Sequence, residues 1–300
     1  MRSVARLLCS LALVTALALL APLSGHAQSA NGNGNGNPAP RMRFQEQVVM
    51  LPKAAIPSRI DLEATVFKPP GDGPFPLVVI NHGKAPGRPA MQGRARFPAQ
   101  SVEFLRRGYA VVLPMRQGFA RSGGAYVGGS CDIETNGMIQ ADDVVATLDF
   151  MATQPYVDME RIVVIGQSHG GLTTMAFSTI GYPGVLGVVN FAGGLRNLNC
   201  PDWEERLVDA FASYGGLSRY PSLWVYGDND SYWPVPLPGR MFNAFKARAT
   251  GPAAKSRLVD VGEFGNDSHR VFSAREGIPV WLPEVGNFFR SLGLPFDAGT

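Results

Sequence analysis

The hydrophobic pattern from residue 44 onward first predicts β-strands. Residues 44–51 and 60–67 carry alternating or β-branched-rich patterns, which are typical of an antiparallel hairpin. A cluster of Pro, Gly and Asp at residues 69–74 predicts a turn after this hairpin. Residues 77–80 form a continuous apolar run, as expected for a strand buried on both faces of a sheet.

Strand-like and helix-like segments alternate after residue 80. The predicted strands are 109–113, 161–165, 185–191, 223–226 and 256–261, and the predicted helices are 97–107, 137–151, 172–180, 203–214, 240–248 and 280–292. Such alternation is typical of α/β proteins, so we predict one mostly parallel, eight-stranded sheet with helices on both faces. The segment from residue 191 to residue 222 holds one helix and a loop, which predicts an open cleft and no large lid domain.

The first 40 residues have a different composition. Residues 1–27 combine two early arginines, an apolar run at 7–20 and a small-x-small ending, which together predict a signal peptide. Residues 28–40 are rich in Asn and Gly and predict a flexible linker, which leaves residues 41–300 as the catalytic domain. We therefore expect an exported protein, periplasmic or secreted, with no stable membrane anchor after signal cleavage.

The charge balance indicates no polyanionic partner. The formal net charge of the whole chain is +3, and removal of the two arginines of residues 1–27 leaves 25 basic and 24 acidic residues. No run of basic residues exceeds two, so neither nucleic acid nor an anionic surface is an expected partner.

A candidate nucleophile lies in the stretch 161–171. Four β-branched residues lead into Gly166-Gln167-Ser168-His169-Gly170, and a helix-compatible segment follows. A serine on a sharp strand-to-helix turn projects its hydroxyl above the sheet, and the flanking glycines avoid collisions with neighbouring backbone. The alternative interpretation is a tight turn with an incidental serine, but the strand, turn and helix that the motif requires are all predicted here.

The base that would activate Ser168 can be chosen by elimination among four histidines. His26 belongs to the predicted signal peptide, His82 follows the strand 77–80, and the side chain of His169 is expected to point into the start of the helix. His269 lies in the loop after the last predicted strand, where a mobile general base belongs. A surface histidine without a role is the alternative.

Three carboxylates are candidates for the acid that would orient His269. Asp228 and Asp230 both follow the strand 223–226, and Asp267 is close to His269 in sequence. We favour Asp230, which lies where the chain leaves the sheet, whereas Asp228 is a candidate for stabilising the turn through backbone amides. Asp267 is too close to His269 to be delivered by a separate rigid element.

Two backbone amides are expected to stabilise a developing oxyanion. One belongs to His169, the residue after the candidate nucleophile, and the other to Lys84, in the loop after the strand 77–80.

Seven segments together resemble one family of proteins. They are His82-Gly83, 107–112, 116–124, 156–158, 166–171, 227–230 and His269. The chain resembles the α/β-hydrolase superfamily, and within it the dienelactone-hydrolase-like and prolyl-oligopeptidase-like branch, with the same Ser…Asp…His order along the chain. It departs from dienelactone hydrolases in having Ser168 where they use cysteine, and no segment resembles the propeller domain of the oligopeptidases. The substrates of those two groups are therefore not carried over.

Two loops are expected to shape the pocket, 114–136 and 192–202. Each contains one cysteine, and an even pair in an exported protein predicts a disulfide between Cys131 and Cys200 over the rim. The aromatic candidates for an apolar subsite are Phe119, Tyr126, Tyr232 and Trp233. Ordinary loop packing explains these aromatic residues equally well.

The sequence predicts no metal site and no cofactor. Asp142 and Asp143 are interpreted as acids near a helix N-terminus, and no His, Cys and Glu cluster has metal-ligand spacing.

We expect a serine hydrolase that cleaves small-molecule carboxylic esters through an acyl-enzyme. The alternatives are a small peptidase or amidase of the same superfamily and a non-catalytic binding module, and the oligomeric state is not predicted.

Overall fold

An eight-stranded sheet runs through the computed structural model, which describes residues 45–55, 57–128 and 131–298. The strands are β1 (Gln45–Lys53), β2 (Ile60–Lys68), β3 (Phe75–Asn81), β4 (Ala110–Pro114), β5 (Val157–Gln167), β6 (Val185–Phe191), β7 (Ser222–Tyr226) and β8 (Arg257–Asp260). Their order in the sheet is β1-β2-β4-β3-β5-β6-β7-β8. Strand β2 pairs antiparallel with β1 and β4, and all other neighbours are parallel. The predicted signal peptide and linker lie outside the described residues.

Six α-helices accompany the sheet in the described residues. They are α1 (Pro98–Leu105), α2 (Ile133–Met151), α3 (His169–Phe177), α4 (Trp203–Leu217), α5 (Leu237–Arg248) and α6 (Ile278–Ser291). Successive side chains of β3 point to opposite faces of the sheet. Leu77 and Val79 join the core formed with α2, α3, α4 and α5, whereas Val78 and Ile80 join the core formed with α1 and α6. The predicted fold class, a mostly parallel eight-stranded sheet with helices on both faces, is confirmed.

Helix α2 differs most from its prediction. It begins at Ile133, four residues earlier than expected, because the Asp132 carboxylate accepts a hydrogen bond from the Thr135 amide and caps the helix. Asp142 and Asp143 therefore lie in the middle of the helix, and their interpretation as N-terminal acids is wrong. Asp143 is fully buried, and its Oδ1 lies 2.5 Å from Nζ of Lys53.

The buried face of α2 is also more polar than its apolar residues suggested. Ile139, an apolar residue of this helix, is 37% exposed. Asn136, Gln140 and Asp143 are buried instead, because this part of α2 packs beneath the turn that carries Ser168. A helix that faces a polar cluster cannot be oriented from its apolar residues alone.

Among the described residues, no helix is both long enough and apolar enough to cross a membrane.

Candidate active site

Ser168 lies at the junction of β5 and α3, with a left-handed backbone (φ 56°, ψ −125°). Side chains other than glycine rarely adopt positive φ, and strain of this kind concentrates at functional sites. Gly166 and Gly170 flank this turn, and other backbone atoms lie too close to each of them to leave room for a side chain. A Cβ on Gly166 would clash with the carbonyl oxygen of Gly170, and one on Gly170 would clash with that of Asn81. The strand–turn–helix context that the sequence predicted is therefore present.

His269 and Asp230 meet in the loops that follow β8 and β7. The Nδ1 atom of His269 lies 3.0 Å from each carboxylate oxygen of Asp230, and the Asp230 side chain is fully buried. The Asp230 Oδ1 also accepts hydrogen bonds from the amides of Tyr232 (2.8 Å) and Trp233 (3.0 Å). These two donors and the imidazole hold the carboxylate in one orientation.

Ser168 and His269 line the same cavity, whose volume is about 310 Å³. In the described residues the Ser168 hydroxyl makes no hydrogen bond to the imidazole, and such contacts commonly tighten only when substrate binds. The Gln167 side chain donates to the carbonyl oxygen of His269 (3.0 Å) and so connects the end of β5 to the histidine loop.

The two other candidate acids have different surroundings. Asp228 is exposed, and the neighbouring carboxylate of Asp260 raises its pKa. Asp267 accepts hydrogen bonds from the Ser231 amide (3.0 Å), the Ser231 hydroxyl (2.8 Å) and the His269 amide (3.0 Å). Asp267 therefore braces the backbone of the two loops, and Asp230 is the carboxylate that contacts the imidazole.

The remaining histidines in the described residues are buried beneath the site. Burial, together with the nearby positive charge of Arg116, holds the pKa of both His82 and His169 well below the ordinary value of 6.5. The Nε2 atom of His169 lies 2.7 Å from Nε2 of Gln140 and 2.8 Å from Oδ1 of Asn136, in the interior of the protein. The structure thus places the His169 side chain away from the cavity, as the sequence predicted.

The two residues whose amides are proposed for oxyanion stabilisation lie near Ser168. Lys84 and His169 line a second cavity, about 240 Å³, which also contains Ser168. Among the described residues, neither amide donates a hydrogen bond to a protein acceptor. Both amides are thus free of protein acceptors in this part of the chain, and their role in stabilising an oxyanion stays a prediction.

Several polar residues support the site and were not identified from the sequence. Arg116 is fully buried, and its guanidinium donates to the carbonyl oxygen of His82 (2.5 Å) and to Oε1 of Gln140 (2.6 Å). Burial lowers the pKa of Arg116 to about 10, which leaves it charged at neutral pH. The segment containing Arg116 contributed to the family resemblance, but no sequence pattern marked Gln140 or Gln92, which contacts the loop of Lys84.

The four aromatic candidates divide into two pairs. Tyr232 lines both cavities and lies against the His269 ring, with centroids 4.4 Å apart, and Trp233 borders the second cavity. Phe119 has no exposed surface and packs edge-on against His82 and Tyr126, and neither it nor Tyr126 lines the two cavities at Ser168. Loop packing, the alternative that the sequence left open, therefore describes Phe119 and Tyr126.

Cys131 and Cys200 form the predicted disulfide, with their Cα atoms 5.7 Å apart. It joins the segment before α2 to the segment before α4. Both segments start from the carboxyl ends of parallel strands, the edge at which Ser168 lies.

Comparisons with known proteins bear on the family and the fold of the chain. The family model of the X-Pro dipeptidyl-peptidases (S15 family) matches residues 59–229. Among solved structures, the Pyrococcus furiosus esterase Pf2001 is similar at 16% identity and a TM-score of 0.59, over 83% of this chain and 93% of that one. A putative dienelactone hydrolase from Klebsiella pneumoniae subsp. pneumoniae MGH 78578 matches at 16% identity and a TM-score of 0.58, over 83% and 99% of the two chains.

A larger protein shares the same fold. The Pyrococcus horikoshii acylaminoacyl peptidase is similar at 16% identity and a TM-score of 0.60, over 86% of this chain and 43% of that one. Identities this low show the common fold alone, whereas the family model covers more than half of the chain. The chain therefore belongs to the X-Pro dipeptidyl-peptidase (S15) family and is a serine hydrolase of the α/β-hydrolase superfamily.

Proposed function

We propose that this protein is an exported serine esterase that cleaves small-molecule carboxylic esters. The observation that carries the proposal is the convergence around Ser168, which lines both cavities, of His269 with its partner Asp230 and of the residues Lys84 and His169. Ser168 is the nucleophile, His269 is the general base and acid, and Asp230 orients the imidazole and stabilises its charged form.

The reaction proceeds in two halves. In the first, the Nε2 atom of His269 accepts the Ser168 proton while Oγ bonds to the ester carbonyl carbon, and the amides of Lys84 and His169 stabilise the oxyanion. Collapse of this intermediate breaks the bond to the alcohol, which leaves with the proton from His269. In the second half, His269 takes a proton from water as the water oxygen bonds to the acyl carbon. The bond from that carbon to Oγ then breaks, and Oγ takes the proton back from His269, which releases the acid and regenerates Ser168.

The charges around the cavities favour an ester over an N-terminal dipeptide. An enzyme that releases dipeptides from an N-terminus must accommodate a free α-ammonium group. The cationic side chains lining the two cavities are Lys84, Arg96 and Arg196, and the lining includes no Asp or Glu. Arg96 is paired with the carboxylate of Glu46, whereas Lys84 and Arg196 donate to backbone carbonyl oxygens. The positive charges of Lys84 and Arg196 repel an ammonium group, so these cavities suit a neutral or anionic substrate better.

A small peptidase or amidase is the second candidate, and the match to the S15 family model supports it. The chemistry at Ser168 would be the same, because an amide and an ester pass through the same type of tetrahedral intermediate. A non-catalytic binding module is the third candidate, and it is disfavoured because every position of the proposed triad is occupied.

Export is part of the proposal. The Cys131–Cys200 disulfide fits an oxidising compartment, and the pattern of residues 1–27 fits a signal peptide. Under this proposal the mature protein comprises the linker 28–40 and the catalytic domain 41–300, and its partners are small ester molecules.

The test begins with a fluorophosphonate probe on the wild-type protein and on the Ser168→Ala variant. We expect labelling of the wild type alone; a wild type that does not label would favour the binding module. Hydrolysis of p-nitrophenyl acetate and butyrate is then compared with that of Gly-Pro-p-nitroanilide and Ala-p-nitroanilide. A clear preference for the anilides would replace the esterase assignment with a peptidase or amidase.

A further inference from the structure

We propose that Gln92 is a positioning residue that directs the Lys84 amide toward the oxyanion. This inference rests on the proposed function, because it assumes that the Lys84 amide stabilises a tetrahedral intermediate formed at Ser168. Gln92 lies in the cavity wall near Ser168, in a short segment that no sequence motif marked.

The Gln92 side chain contacts the backbone on both sides of Lys84. Its Nε2 donates to the carbonyl oxygen of Gly83 (3.1 Å), and its Oε1 accepts from the amide of Ala85 (2.8 Å). A carboxamide has one donor end and one acceptor end, and here each end meets a backbone group of opposite character. Gln92 thereby holds the peptide groups before and after Lys84.

The orientation of the Gly83 carbonyl determines the direction of the Lys84 N–H group. The peptide bond between them is trans, so the C=O and N–H groups point in opposite directions. Because Gln92 holds the carbonyl toward itself, the N–H points away from Gln92. Ser168 lies next to this peptide, since a Cβ added to Gly83 would be 3.1 Å from Cβ of Ser168 and 3.6 Å from its Oγ.

His82 contributes a second donor to the same carbonyl group. Its Nε2 lies 3.4 Å from the amide nitrogen of Arg116 and accepts from it, which places the proton on Nδ1. Nδ1 lies 2.7 Å from the carbonyl oxygen of Gly83 and 3.1 Å from Nε2 of Gln92, so the Gly83 oxygen is the acceptor that these two donors share. The neutral form of His82, which burial favours, supplies this donor at neutral pH without adding a charge near the reacting group.

The segment that carries Gln92 is itself anchored. The Gln92 amide donates to the carbonyl oxygen of Pro89 (3.0 Å), which closes a short 3₁₀ turn. The same carbonyl accepts from the amide of Ala120 (3.3 Å), in the loop after β4. The backbone of Gln92 is thus connected to the loop after β4. Its side-chain carboxamide therefore has a fixed base from which to resist rotation of the Lys84 peptide.

The experiment compares the hydrolysis of p-nitrophenyl acetate with that of its thionoester, in which sulfur replaces the carbonyl oxygen. Sulfur accepts hydrogen bonds weakly, so an intact oxyanion site favours the oxygen ester. Loss of one oxyanion donor costs about 10²–10³ in kcat, and we expect a misdirected donor in Gln92→Ala to cost about 10- to 100-fold. We expect the KM to change little and the preference for the oxygen ester to fall by about 10-fold.

Two further variants make the result decisive. Gln92→Glu keeps an acceptor for the Ala85 amide but cannot donate to the Gly83 carbonyl at pH 7.5, so its preference for the oxygen ester should fall as in Gln92→Ala. Gln154→Ala removes a partly buried glutamine whose side chain bonds backbone near the end of α2, and it should keep the wild-type preference.

The outcomes separate the two proposals. An active wild type together with an unchanged preference in Gln92→Ala or in Gln92→Glu overturns the role of Gln92 and leaves the esterase proposal standing. A wild type that hydrolyses neither ester overturns the proposed function and, with it, the role of Gln92.

Discussion

Asp230 and His269 are 39 positions apart in the sequence, and the Asp230 carboxylate oxygens both lie 3.0 Å from Nδ1 of His269. Strands β7 and β8 are parallel neighbours, so their following loops begin at the same edge of the sheet. The Asn229 side chain bridges these loops by accepting from the amides of Phe264 and Ser268, each at 3.1 Å. These hydrogen bonds fix the loop that carries Asp230 against the loop that carries His269, which keeps the Asp–His contact in place.

We predict that Asp230→Asn lowers kcat for p-nitrophenyl acetate by about 10²–10⁴, because an amide can stabilise the wrong imidazole tautomer and cannot stabilise the imidazolium. Steady-state kinetics would measure this loss, and circular dichroism would check the fold. Asp228→Asn is the matched control and should keep near-wild-type activity, because Asp228 is exposed. If Asp228→Asn lost this activity and Asp230→Asn kept it, Asp228 would be the triad acid.

Because the turn at Ser168 is closely packed, we expect one added methyl group to lower the stability of the protein strongly. Gly170→Ala would push a Cβ into the carbonyl oxygen of Asn81 at the end of β3, so we expect a loss of at least about 2 kcal/mol in the free energy of unfolding. Urea unfolding would measure it. Gly239→Ala is the control, because a Cβ there meets no atom within 4 Å and lies in α5, where alanine should be neutral or stabilising.

Stability should fall as the pH falls below about 6.5, because His82 and His169 are buried in the neutral form. Burial depresses the pKa of each histidine in the folded state, so the unfolded chain binds more protons in this range. By linkage, each histidine should lower the free energy of unfolding by an amount on the order of 1 kcal/mol between pH 7.5 and pH 5.5. Urea unfolding at the two pH values would measure the change.

His169→Gln supplies the comparison for this pH effect. The variant lacks one of the two titrating groups, so over the same pH interval its stability should fall less than that of the wild type, by an amount on the order of 1 kcal/mol. An identical pH dependence in both proteins would contradict the assignment of His169 as a buried neutral histidine.

The disulfide should make the wild type more stable than a variant without it, and a reductant should remove this difference. Cys131 and Cys200 are separated by 69 positions, and closing a loop of this size in the unfolded chain is worth roughly 2–4 kcal/mol. We expect the Cys131→Ser, Cys200→Ser double variant to lose this amount in urea unfolding and to become insensitive to dithiothreitol. Thiol titration of the unfolded, unreduced wild type should find no free thiol at these positions; finding two would contradict the disulfide.

Local patterns predicted most of the sheet because their physical causes are local. The continuous apolar runs at β3 and β5 reflect burial on both faces, which only a central parallel strand requires. Helix α2 was less predictable, since its buried face includes Gln140 and Asp143, whose partners come from distant segments. Its start at Asp132 depended on a cap that the apolar pattern did not indicate.

The candidate site was predictable to the extent that chain order and strand ends determine it. Ser168 follows from the strand, turn and helix around it, and His269 follows from the exclusion of the other histidines by position. Gln92 could not be found in this way, because a single glutamine in an irregular segment has no distinguishing sequence signal. Its importance depends on a carboxamide meeting backbone groups seven and nine residues earlier in the chain.

By itself, the sequence determined the strand and helix order, the position of Ser168 and the pairing of Cys131 with Cys200, because periodicity, glycine spacing and loop position are properties of short segments. The sequence favoured Asp230 but left Asp228 and Asp267 open, and only the tertiary structure showed which carboxylate contacts the imidazole. Asp228 and Asp230 follow the same strand two positions apart, and their opposite environments, exposed beside Asp260 and buried against His269, arise from how the loops after β7 and β8 fold over each other. That choice depends on contacts between residues far apart in the chain, which no local pattern encodes.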